Sequence, residues 1–152
     1  MAYTTIEGRE ELLERLAEAI DEIAIALANL GEAYEQLDEY ASERLEQELF
    51  RPVQGAYGRA KRTHAEFAER YGLATRTFPP RSAGAPAGGV KGLIERALDA
   101  AGRADGRLGE LQDSMLPVEV GDPQVRAEIT QVREHLGGLR ARARQILRVL
   151  GR

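Results

Sequence analysis

The chain has no cysteine and no tryptophan, and its 152 residues include only three phenylalanines, five tyrosines and two histidines. Without cysteine there is no disulfide framework, thiolate zinc site, iron–sulfur cluster or cysteine nucleophile. Either redox compartment is compatible with that absence. No run of 18 apolar residues occurs, so no segment reads as a membrane-spanning helix. The opening stretch MAYTTIEGREELLERL is acidic and lacks the basic start and apolar middle of a signal peptide, so a cytoplasmic location is expected. Lysine is scarce, only Lys61 and Lys91. Arginine in its place, with abundant alanine and glycine, is what a GC-rich bacterial genome produces. Alternation of apolar and polar residues with period two is also missing, which argues against half-buried strands.

What is present is charge and helical rhythm. Charged residues make up 30% of the chain, and the net charge of −4 is unevenly placed. Residues 1–50 carry 14 acids and 3 bases, residues 51–96 carry 3 acids and 9 bases, and the remainder is nearly balanced. An acidic first third followed by a basic second third asks for an explanation.

Apolar residues step by three and four almost everywhere. One seam runs Leu13, Leu16, Ile20, Ile23, Leu27, Leu30, Tyr34, Leu37, Ala41 and continues through Leu45, Leu49, Val53, Tyr57, Ala60, His64, Phe67 and Tyr71. A second runs Val90, Ile94, Ala97, Ala101, Ala104, Leu108, Leu111, Met115. A third runs Val125, Ile129, Val132, Leu136, Leu139, Ala143, Ile146, Leu150. Each is the buried stripe of an amphipathic helix with coiled-coil-like spacing. Thr4 and Glu7 fit a capping box at the first helix, and Asp122 followed by Pro123 fits the start of the last. The stretch 73–88, with Pro79-Pro80 and Pro86, reads as a loop longer than a plain connection needs.

Two places before residue 72 offer a chain reversal. At Pro52 no capping residue follows and the apolar phase is unbroken, so Pro52 is read as a kink within one helix. At Gly31 phase continuity favours an unbroken helix, whereas Asn29-Leu30-Gly31 fits a helix end with a left-handed cap. Residues 7–22 are net −5 and residues 138–152 net +5, which attract if they lie side by side. That places the reversal near 29–31. The expected fold is one all-α domain, an antiparallel up-down-up-down four-helix bundle with helices about 5–29, 32–72, 89–115 and 123–151.

A di-iron bundle would require Glu-x-x-His pairs, but Lys61 precedes His64 by three and Val132 precedes His135 by three. Neither is a ligand, so no metal and no cofactor is expected. Ser42, Ser82 and Ser114 lack a nucleophile-elbow context, and no catalytic residue is assigned. His64, on the seam, reads as a structural histidine, with a pH-sensitive or ligand-binding role as the alternative. His135 beside Glu134 reads as a surface ion pair. Gly88-Gly89 with Lys91 allows one weak anion site at a helix start. The strongest lead is basic: Arg59, Lys61, Arg62, Arg70, Arg76, Arg81, Lys91 and Arg96 are expected to converge at one bundle tip. Such a tip fits an acidic partner or an anionic membrane, with nucleic acid least expected. The competing reading pairs these cations with the acidic first helix, within the chain or across a dimer.

Residues 31–71 also carry a resemblance. Gly31-Glu32, Phe50-Arg51-Pro52, the Lys61-Arg62 run and Phe67 to Tyr71 look like the kinked central helix of BAR domains, over about a quarter of the chain. The resemblance implies a proline-bent helix within a membrane-binding dimer. Lys61, Arg62 and Arg70 would be its membrane contacts and Pro52 its bend. From the residues themselves the expected function is a non-enzymatic helical scaffold or adaptor, self-associating as a dimer and meeting a protein partner. A BAR-like peripheral membrane binder and a small-ligand-binding bundle are the alternatives.

Overall fold

The computed structural model describes residues 5–84 and 88–150. Helix α1 spans Thr5–Gln36 and buries Leu12, Leu16, Ile20, Ile23 and Leu30 along one stripe. The expected capping residue Thr4 lies outside the described residues. The reversal expected at 29–31 does not occur there. Asn29 instead donates its side-chain amide to the Ile25 carbonyl at 2.9 Å, one turn back within the same helix. Gly31 keeps helical backbone, and a Cβ on it would meet open space. The chain turns at Leu37 and Asp38, where the Asp38 carboxylate accepts from the Ala41 N–H at 2.8 Å and starts α2, Glu39–Leu45. A carboxylate that caps the next helix is a firmer stop than a glycine that fits inside the first one.

From α2 the chain continues without a break through a π-helical turn, Glu46–Phe50, into α3, Arg51–Arg70. The Arg51 N–H reaches back five residues to the Glu46 carbonyl. Pro52 stands immediately after this wide turn. In a regular α-helix its ring would strike the Glu48 carbonyl and its missing N–H would orphan that acceptor. The extra residue in the turn re-registers the backbone just ahead of the proline. The apolar steps explain why it suits this sequence: Ala41, Leu45, Leu49, Val53 and Tyr57 are all four apart. At about 100° per residue an α-helix drifts about 40° with each such step, and a locally wider turn returns the stripe to the core.

Helix α4, Gly89–Asp113, is followed by the short α5, Leu116–Glu119, then α6, Pro123–Leu136, and α7, Leu139–Leu150. Asp122 caps α6 as its position predicts, accepting from the Val125 N–H at 3.0 Å, with Pro123 in the first turn. The last expected helix is two, broken at Gly137-Gly138, where Gly138 adopts a left-handed φ of 77°. Leu136 and Leu139 flank the break and are both buried, so the seam survives it. Met115, expected on a seam, is 62% exposed because α4 ends before it.

The four long rods pack α1 against α4, α3 against α6, α1 against α3, and α4 against α6 and α7. Ion pairs set the directions. Glu22 with Arg103 and Glu18 with Arg107, each at 2.8 Å, run α1 and α4 antiparallel. Arg133 with Asp105 at 2.8 Å and Arg140 with Asp99 at 2.9 Å do the same for α4 against α6 and α7. Hydrogen bonds from Arg59 to Gln131 and Arg44 to Gln145 run the second rod antiparallel to the last. The path is therefore up-down-down-up, not up-down-up-down. α3 ends beside the start of α1, while α4 begins at the opposite end. The connection between them must travel the length of the bundle, which explains its size. An α4 of 25 residues is about 37 Å long, and 18 connecting residues reach about 60 Å when extended. α1 and α7 lie on a diagonal, so the expected attraction between the acidic start and the basic end of the chain is not used. The acids of α1 are met instead by Arg103 and Arg107 of α4 and by the crossing strap. Buried Ala19, Ala26 and Ala33 on α1 and Ala97, Ala101 and Ala104 on α4 accompany the most extensive helix pair. Among the described residues there is no strand, and no helix is long and apolar enough to cross a membrane.

Candidate interaction surface

The expected basic tip is not assembled, because the topology sends its parts to different places. Arg70 lies at the end of α3, where its guanidinium donates to the Asp122 carboxylate at 2.8 and 3.2 Å. Arg76 pairs with Asp21 at 3.2 Å and Glu14 at 3.8 Å, and Arg81 with Asp21 at 3.3 Å. Arg59 donates to Gln131 at 2.6 Å, and the Lys61 ammonium sits 4.1 Å above the Tyr57 ring. Arg62 is exposed on α3. Lys91 is exposed at the start of α4, at the other end of the bundle, with Arg96 half-buried a turn further on. Gly88 and Gly89 there take left-handed φ values of 82° and 62°.

The crossing strap places His64. Phe78 meets the imidazole edge-on at 5.2 Å, and the Tyr57 hydroxyl donates to the Phe78 carbonyl at 3.4 Å. Glu10, Glu14, Leu73 and Arg76 surround the same hollow. Burial, reinforced by the Arg76 charge, pushes the His64 pKa below its ordinary 6.5. The folded state thus favours the neutral ring. Above pH 6.5 the ring is neutral in both states. As pH falls below that value the unfolded chain takes up the proton first, and stability is lost until the folded ring also titrates. Urea unfolding between pH 7.5 and 5, a range set by the usual histidine window, should therefore show a stability slope about one proton shallower in His64→Leu than in the parent chain. His135 is exposed and rests on Gly55 of α3, where an added Cβ would stand 3.0 Å from its ring.

A second cluster closes the end where α3 stops. Asp122 is 3% exposed and accepts from the Tyr71 hydroxyl at 2.7 Å as well as from Arg70 and the Val125 N–H. The Arg9 guanidinium of α1 stacks 3.8 Å over the Tyr71 ring. Burial works against the Asp122 charge. Tyr71, Val125 and Arg70 outweigh it and hold its pKa below the usual value. Four polar groups spent on one another make this a structural clamp.

The surface that is not spent lies at the opposite end, along the groove between α2 and α7. Tyr40, Ala41 and Arg44 form one wall, and Gln145, Ile146, Val149 and Leu150 the other, around an open cleft. Arg44 crosses the floor to donate to Gln145 at 3.1 Å. Tyr40 is 71% exposed and Val149 65% exposed. Both were missed in the sequence, since each falls one residue off an otherwise regular apolar seam. The signal was present in α7, whose Arg140, Arg144 and Arg148 recur every four residues. Among the described residues no three His, Asp or Glu side chains stand close enough to share a metal ion. Comparison with protein-family models, with curated proteins and with solved structures finds no match to this chain.

Proposed function

We propose that this chain is a non-enzymatic helical scaffold that works through protein contacts and self-associates. The α2/α7 cleft carries this reading. An exposed tyrosine and an exposed valine face solvent across a mostly apolar groove, while Tyr71 and Asp122 at the far end, and Arg76 and Asp21 along the strap, are spent on one another. Aromatic side chains at the centre of a groove with charged borders are the usual composition of a contact surface. Sedimentation velocity over a wide concentration range tests it. The weight-average mass should rise toward twice the monomer's, and a strict monomer throughout would overturn the reading. Cosedimentation with anionic vesicles at low salt, run beside it, separates the membrane alternative. That alternative now rests on Arg59, Lys61 and Arg62 of α3, since Arg70, Arg76 and Arg81 are held by carboxylates of the same chain.

A further inference from the structure

We infer that two copies of this chain meet across the α2/α7 groove about a twofold axis running along it, each copy's Glu39 and Glu43 facing the other's Arg144 and Arg148. The inference rests on the self-association proposed above and names its surface.

Residues four apart share a helix face. Glu39 and Glu43 therefore form an acidic edge on α2, and Arg144 and Arg148 a basic edge on α7. All four side chains are exposed. None of them has an ion-pair partner within the described chain. Arg140, one turn earlier on the same stripe, is already held by Asp99 at 2.9 Å. Glu39 and Glu43 on α2 and Arg144 and Arg148 on α7 thus border, rather than line, a mostly apolar groove that the Arg44–Gln145 hydrogen bond bridges.

Such a surface complements a copy of itself under one operation. A twofold axis lying in the contact plane, parallel to α2 and α7, exchanges left and right while keeping height along the groove. It lays the acidic α2 of one copy over the basic α7 of the other, twice. An axis across the helices would instead stack α2 on α2 and place like charges together. Heights also match. α2 and α7 run antiparallel with Arg44 level with Gln145. Glu43 is then level with the turn between Arg144 and Arg148, and Tyr40 is level with Val149. In the dimer the exposed tyrosine of each copy covers the exposed valine of the other, and the two carboxylate–guanidinium rows close over the apolar contact.

Sedimentation equilibrium of the full chain tests this at low and physiological salt, with Glu43→Arg, Arg148→Glu and the combined Glu43→Arg/Arg148→Glu variant. Each single reversal sets like charges opposite one another at two symmetry-related places and should weaken the dimer at least about tenfold. The double reversal should restore it to within a few-fold. All substituted positions are exposed, and unchanged helicity by circular dichroism verifies the fold. Met115→Ser/Val118→Ser, at the far end of the bundle, should leave the dimer unchanged. A dimer insensitive to the single reversals and to salt overturns the twofold arrangement while leaving self-association standing. So does a dimer lost in the Met115/Val118 variant. A wild-type chain that stays monomeric overturns both.

Discussion

Replacing Asp122 with alanine is expected to lower stability by about 3 kcal/mol, and the melting temperature by roughly 6–12 °C for a chain of this size. The substitution removes three things together: the cap on the Val125 N–H, the acceptor for the Tyr71 hydroxyl and the partner of Arg70. A lost helix cap alone costs about 1 kcal/mol, and a buried hydroxyl left without an acceptor adds a comparable amount. Arg70, whose side chain is 31% exposed, partly rehydrates and adds less than a buried cation would. Asp122→Asn keeps an acceptor for the cap and the hydroxyl and should lose about half as much. The acid limb of the stability curve gives a second reading. Because the folded carboxyl has a lowered pKa, its contribution is fully present above the unfolded value of 3.8 and is lost as pH falls through the folded one. The alanine variant has nothing to lose in that window, so the two stability curves should converge below pH 3.8. Thermal unfolding followed by circular dichroism at pH 7 and across that acid range measures both.

Phe67→Ala is expected to cost about 3–5 kcal/mol, the largest effect of any single core truncation in the chain. Phe67 is fully buried, the bulkiest side chain to be so among the described residues, and its ring packs against Tyr71 at 4.8 Å. Removing it opens a cavity where α3 approaches its end, and the rods on either side cannot close without moving the Tyr71–Asp122 clamp. Met115→Ala, equally apolar but exposed, should stay within about 0.5 kcal/mol, which separates burial from hydrophobicity as the cause. Because Phe67 touches Tyr71 and Tyr71 touches Asp122, the double variant Phe67→Ala/Asp122→Ala should fall short of additivity. Chemical denaturation of the parent chain, the three single variants and the double variant supplies all three comparisons.

Local helix formation was written in the residues themselves. The three apolar seams, the Asp122-Pro123 start of α6, the passage of one helix through Pro52 and the long loop all follow from side-chain periodicity and backbone chemistry. Those forces act within a turn or two of the chain. The four-residue steps from Ala41 to Tyr57 even carried the mark of the π turn, although a kink was the nearer reading. The reversal at Gly31 was misplaced because phase continuity and charge pointed in opposite directions. The charge argument presumed neighbours that the fold does not make.

Which rods are neighbours is a tertiary matter. A seam records that a helix buries one face, and any other seam of similar width will serve. The sequence by itself thus determined how many apolar faces there were and where each ran. The tertiary structure alone decided that the strap crosses the bundle, that α4 rather than α7 lies against α1, and that Arg70, Arg76 and Arg81 meet carboxylates of their own chain. The same decision placed α2 beside α7, left Tyr40 and Val149 exposed at one groove, and set Glu39, Glu43, Arg144 and Arg148 along its borders. The physical reason is distance along the chain: contacts separated by 51 to 101 residues depend on the path between them, and no local periodicity encodes a path.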